Sequence, residues 1–193
     1  MLGFDCIFKY LNSNKNKLSK RKDSRKLYAT GKNWYKIVRP GRFTYINPPK
    51  LLIQGIERFA KIGYLESNST FSGANCPGFI QKENNNDLNF FLGLLNTNII
   101  TYYLRSICPP KLSNYFRFNT TNLNTIPIPR DIDDDIKKEM INEVTKLKKI
   151  LLSNKHNEKN IQELILSINK IGYEIYQIDK TTKNSLEESI KIK

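Results

Sequence analysis

The last third of the chain constrains the fold most. Ile132, Ile136, Met140, Val144, Leu147 and Leu151 recur at steps of three or four residues, and Ile161, Leu164, Ile165, Ile168, Ile171, Ile175 and Ile178 form a second such series. A repeat near 3.6 places each series along one side of a helix. The polar stretch Asn154–Asn157 separates them, so the pattern predicts two amphipathic helices joined by a short loop, an αα-hairpin. Asp131, Asp133, Asp134 and Asp135 stand at the start of the first helix. Clustered carboxylates can hold a cation, but at a helix N-terminus they complement the macrodipole, and that reading is preferred here.

Upstream the pattern changes. Phe91, Leu94, Leu95, Ile99, Tyr102 and Tyr103 predict an apolar helix over 88–105, with a cap within Asn84–Asp87 and a stop at Cys108-Pro109-Pro110. The apolar stretch Leu88–Ile107 has nearly bilayer length, yet it contains Asn89, Asn96, Asn98 and Arg105, so a buried helix is expected and no membrane partner. Between Trp34 and Gln81, short β-prone runs (34–38, 50–54, 58–62 and 78–81) alternate with Arg39-Pro40-Gly41, Asn47-Pro48-Pro49 and Ser72-Gly73. Residues 111–118 read as a loop, followed by a turn of helix and Ile126-Pro127-Ile128-Pro129. The expected class is α+β: a basic N-terminal helix over 4–26, a small mostly antiparallel sheet with a packed apolar helix, and the C-terminal hairpin. The corresponding division is 1–130 and 131–193.

Charge distribution speaks to function. Residues 1–50 hold 13 Lys/Arg against 2 Asp/Glu, residues 51–130 hold 7 against 4, and residues 131–193 hold 12 against 12. Nearly all of the +14 net charge therefore belongs to the first quarter. A field that local attracts and orients a polyanion, which makes nucleic acid the first partner to consider. Lys20, Arg21, Arg25 and Lys26 crowd the basic helix without i,i+4 acidic partners. Trp34, Tyr35, Arg39, Arg42, Arg58 and Lys61 interleave aromatic and basic character through the sheet region, and Lys111, Asn114 and Arg117 follow in the later loop. Trp34 and Tyr35 are suited either to stacking on nucleic acid or to packing, with packing favoured for Trp34.

Catalytic chemistry is sparse. The three cysteines form no C-x-x-C pair and suit a reducing cytosol, and a single histidine, His156, leaves no basis for a zinc site or a Ser/His or Cys/His mechanism. No secretory leader is evident in residues 1–8. There is no G-x-x-x-x-G-K-[ST] loop and no G-x-S-x-G elbow. Asn47-Pro48-Pro49-Lys50 approaches the Asn/Asp-Pro-Pro-aromatic motif of adenine methyltransferases, but Lys50 cannot stack on a flipped base and no glycine-rich cofactor turn precedes it. The match is read as accidental, and no catalytic residue is assigned.

An ordered series of short motifs carries a resemblance: Tyr10-Leu11, Leu18-Ser19-Lys20-Arg21-Lys22, Trp34-Tyr35 with Arg39-Pro40, Pro49-Lys50-Leu51-Leu52-Ile53, Leu92-Gly93-Leu94-Leu95-Asn96-Thr97, Tyr115-Phe116-Arg117-Phe118, Leu123-Asn124-Thr125-Ile126-Pro127-Ile128-Pro129, and Ile168-Asn169-Lys170-Ile171-Gly172-Tyr173-Glu174-Ile175-Tyr176. Together they resemble the TaqI-like C-terminal specificity domain of adenine-specific DNA methyltransferases and fused restriction–modification enzymes. The resemblance implies a domain that reads double-stranded DNA while a separate methyltransferase or endonuclease part, holding S-adenosylmethionine, does the chemistry. Gly172 departs from the aliphatic residue usual at that point, which predicts a less regular last helix. The competing expectation is a helical scaffold subunit that binds nucleic acid without sequence preference.

Overall fold

The computed structural model describes residues 4–23, 26–27, 31–36, 46–69, 76–80, 87–112, 114–153 and 157–191. The chain divides into two compact units, Met1–Phe43 and Thr44–Lys193.

The first unit opens with α1 (Phe4–Ser13) and the short α2 (Lys15–Leu18), followed by the antiparallel pair β1 (Lys22–Asp23) and β2 (Lys26–Leu27). The helix expected over 4–26 therefore ends at Leu18. Its interruption has a local cause: Ser13 Oγ and Asn14 Nδ2 donate to the Tyr10 carbonyl at 2.8 and 2.9 Å, and such side-chain bonds compete with the helical ladder. The run expected as a strand at 34–38 begins instead in a turn after a 3₁₀ segment at Gly31–Asn33, and residues 37–38 lie outside the described part.

Among the described residues, the second unit holds two antiparallel three-stranded sheets. In one, β3 (Lys50–Ile53) lies between β5 (Ile62–Leu65) and β6 (Gly78–Phe79), with Lys50 opposite Leu65 and Ile53 opposite Ile62. In the other, β8 (Tyr115–Arg117) lies between β4 (Ile56–Glu57) and β7 (Pro110–Leu112), so the expected loop at 111–118 is a hairpin. The strand expected at 58–62 starts only at Ile62. Before it, the Ala60 N–H leaves the ladder and donates to Thr101 Oγ1 at 3.2 Å.

The predicted apolar helix is two helices, α3 (Leu88–Leu95) and α4 (Asn98–Ile107), with Asp87 capping the first by accepting from the Asn89 N–H at 2.7 Å. The break at Asn96-Thr97 is specified by side chains. Asn96 Nδ2 donates to the Leu92 and Ile62 carbonyls at 2.8 and 2.9 Å, and its Oδ1 accepts from the Ile62 N–H at 3.0 Å. One amide thus ends α3 and ties it to β5. After α5 (Thr120–Leu123) come α6 (Asp134–Leu152), α7 (Glu158–Ile175) and α8 (Lys180–Ile190). The hairpin of α6 and α7 matches the periodicity, whereas α8 has no counterpart in the sequence reading. Asp133 caps α6 by accepting from the Asp135 and Ile136 N–H groups, and Asp134 and Asp135 pair with Lys137 and Lys138 at 3.0 and 2.8 Å. These aspartates serve the helix start.

The main core joins both sides of residue 130. Leu51 and Ile53 of β3, Leu94 of α3, Ile100 and Leu104 of α4, Met140 and Val144 of α6 and Ile168 and Ile171 of α7 form one buried cluster. Ile99, Tyr173, Leu186 and Ile190 form a smaller one that seats α8. Two glycines permit the close approaches. A Cβ on Gly93 would stand 2.7 Å from Val144 Cγ2, and one on Gly172 would stand 2.6 Å from Thr97 Cγ2. Gly172 accordingly sits inside a regular α7, contrary to the irregular helix expected: it makes room for Thr97, which is itself fixed by an Oγ1 bond to the Leu94 carbonyl at 2.7 Å. At the end of α7 the Tyr176 hydroxyl donates to the Pro127 carbonyl at 2.7 Å, and burial pushes its pKa up to about 12. That contact joins the Ile126–Pro129 motif to the closing motif.

Candidate nucleic-acid interface

In β8 the side chains alternate. Phe116 packs against the main core, and Phe118, just beyond the strand, is buried in it. Tyr115 and Arg117 consequently occupy the opposite, core-averted face. Pairing sets Ile56 opposite Arg117, and the same register continued by two residues sets Arg58 opposite Tyr115. The Arg58 guanidinium carbon lies 4.9 Å from the Tyr115 ring centroid. Arg117 is exposed, as are Lys111 in the irregular part of β7 and Asn114, whose φ of 60° serves the tight β7–β8 connection. Lys61 is exposed and lies 3.4 Å from Glu57 Oε2. The Arg58 N–H donates to Glu57 Oε1 at 2.8 Å and, ahead of Lys61, holds that carboxyl below the usual carboxylate range. The structure thus brings Arg58, Lys61, Lys111, Asn114 and Arg117 onto or beside one small sheet.

The cations of the first unit differ in their commitments. Lys17, Lys20 and Lys22 are exposed. Arg21 is engaged: Nε donates to the Leu18 carbonyl at 2.9 Å, and Nη2 donates to the carbonyls of Trp34 and Lys36 at 3.0 and 2.9 Å. It clamps the 34–36 turn to the end of α2. Trp34 is buried, with Lys15 Nζ 5.6 Å above its ring and Tyr35 edge-on at 5.6 Å. Packing is therefore the role the fold gives Trp34, while Tyr35 is 47% exposed. Lys26 lies in β2; Arg25, Arg39 and Arg42 lie outside the described residues. Arg21→Ala is expected to loosen the turn and shift the emission of Trp34, the chain's single tryptophan, to the red; an unchanged spectrum would contradict the clamp.

Residues 4–128 match the TaqI-like C-terminal specificity domain. The chain belongs to that family. Among solved structures, this specificity domain is similar to the Type IIL restriction–modification enzyme MmeI in complex with DNA, with a TM-score of 0.64 and 14% identity over 95% of this chain and 26% of that one. The likeness is one of fold, and the specificity domain spans about a quarter of MmeI. No curated protein matches the chain. Among the described residues, no helix is long and apolar enough to cross a membrane.

Several motif residues of the specificity domain prove architectural. Asn96 docks β5, Asn169 Oδ1 accepts from the Asn98 N–H at 2.7 Å to start α4, and Lys50 is wholly buried. Sequence reasoning missed Tyr115 as a partner for an arginine. The usable signal was the alternation Tyr115-Phe116-Arg117-Phe118, which separates a core face from an outer face once the segment is read as a strand.

Proposed function

We propose that this chain is the sequence-specific DNA-recognition module of a restriction–modification system. In this reading an adenine-specific methyltransferase, or a fused methyltransferase–endonuclease, supplies S-adenosylmethionine and the chemistry. The observation that carries it is the small sheet β4–β8–β7, on or beside which Arg58, Lys111, Asn114 and Arg117 gather in a domain of the specificity family. Arginine and amide side chains on or beside a sheet suit base edges, and the exposed Lys17, Lys20 and Lys22 suit phosphates. Arg25, Lys26, Arg39 and Arg42 belong to the same excess of positive charge in residues 1–50. Residues 1–130 read DNA in this proposal, and 131–193 hold the partner.

The scaffold role has its own support. Leu151, Leu152 and Leu166 on the α6–α7 hairpin are 51%, 82% and 67% exposed, which suits a docked partner. Docking and recognition are compatible, and the recognition role is decided by selection from a random duplex pool at near-physiological salt. Enrichment of one short motif by the chain alone is the expected result. Binding without enrichment would leave only the non-specific scaffold, and absence of binding would reject the DNA reading for the isolated chain.

A further inference from the structure

Among the described residues, Arg21, Arg105 and Arg58 are held in two distinct ways. Arg21 spends its Nε and Nη2 donors on backbone carbonyls, and Arg105 lies 5.1 Å from the Phe116 ring with Nη1 3.4 Å from the Ile190 carbonyl. Both are structural fastenings. Arg58 is held over the Tyr115 ring, and its Nε is buried without a hydrogen-bond partner among the described residues. A buried donor left unpaired is costly, and native proteins rarely keep one without a use for it.

The surroundings indicate that use. Arg58 is half-buried and attracted to the face of a ring rooted in the adjacent strand, so its guanidinium has a defined position. Arg117 and Lys111 are exposed, and no hydrogen bond or ion pair holds either side chain among the described residues. A phosphate tolerates a mobile cation. A guanine edge demands two donors in a set plane, aimed at O6 and N7. Only Arg58 on this sheet has the pre-set orientation that such a contact needs.

We propose that Arg58 reads a guanine in the target site and that Tyr115 is its positioning residue. The inference rests on the DNA-recognition reading and names the contact that carries it. Nε stays covered, and the two terminal nitrogens, which no hydrogen bond or ion pair holds among the described residues, are the donors that meet O6 and N7 while the ring keeps the guanidinium in place.

The test compares full-length chains on one selected duplex and on duplexes substituted at each position. Wild type should enrich a motif containing a guanine whose replacement weakens binding roughly 5- to 150-fold. Arg58→Ala and Arg58→Lys should erase that preference at that position alone, since lysine retains the charge but not the fork. Tyr115→Phe should preserve it, because the ring face is kept, and Tyr115→Leu should lose it. In Tyr115→Leu, affinity for a random duplex should stay within about threefold, the order expected when phosphate contacts are intact. That unchanged background affinity separates positioning from unfolding. If Arg58→Ala weakened every sequence equally, Arg58 would be a phosphate contact and the inference would fall. It would also fall if Tyr115→Leu kept the preference, or if Tyr115→Phe lost it. An enriched motif indifferent to both residues would sink this inference and leave the recognition reading standing. A wild-type chain that enriched nothing would sink both.

Discussion

Replacing Lys17, Lys20 and Lys22 together by glutamine is expected to weaken binding to duplex DNA by about a hundredfold at roughly 0.15 M salt. The three lysines are exposed and close in sequence, at the end of α2, in the turn after it and in β1. Each lysine that neutralises a phosphate releases condensed counterions, so each adds about 0.9 to the slope of log affinity against log salt. Losing three should reduce that slope by about 2.7, and the affinity loss should shrink as salt rises. Lys15 is left in place because it covers Trp34, and Arg21 because it clamps the 34–36 turn. The measurement is an anisotropy titration of a labelled duplex across about 0.05–0.3 M salt, with Trp34 emission as the check on folding. Base preference at any selected motif should survive, since phosphate contacts set affinity and register rather than sequence. An unchanged slope would mean that these lysines touch no phosphate. The field of residues 1–50 would then need another explanation.

The parts of the fold visible in the sequence are those whose signal is long and periodic. The α6–α7 hairpin shows itself because Met140, Val144, Ile168 and Ile171 sit on repeating apolar stripes that the core then uses. The helix α8 escaped because its buried anchors number only two, Leu186 and Ile190, within an otherwise polar stretch. The break between α3 and α4 escaped for the opposite reason. The apolar pattern runs straight through it, and the interruption is set by Asn96 reaching Ile62, 34 residues away in sequence. Short strands fared similarly: β7 and β8 have three residues each, too few for a period to declare itself. In the candidate interface, charge singled out residue types but could not rank them. Arg21 and Arg58 look alike in a basic segment. Only carbonyls in one case and a tyrosine ring in the other separate a clamp from a reader.

Lys50→Ala should destabilise the second unit by about 3–5 kcal/mol, and Lys50→Met by about 1–3. Lys50 opens β3 with none of its surface exposed, and its Nζ donates to the carbonyls of Ile46 and Ser69 at 3.1 and 3.0 Å. These bonds join the segment before β3 to the segment after β5, where the Asn68 N–H also meets the Asn47 carbonyl at 3.2 Å. Alanine removes the buried stem and both bonds. Methionine refills the stem and leaves only the two carbonyls without their donor. The difference between the variants in urea denaturation therefore isolates packing from hydrogen bonding, with near-ultraviolet circular dichroism confirming a native fold before unfolding. If methionine were as stable as lysine, the cost of burying the amine would equal what its two bonds return, and Lys50 would be a filler rather than an anchor. The expected order, Lys above Met above Ala, would give Asn47-Pro48-Pro49-Lys50 a mechanical meaning. The prolines lead into β3, and the lysine ties that approach to the segment leaving β5 at the same end of the pair. A residue turned wholly inward cannot meet a flipped base. That order of stabilities would explain the likeness to a catalytic motif by a requirement of the sheet.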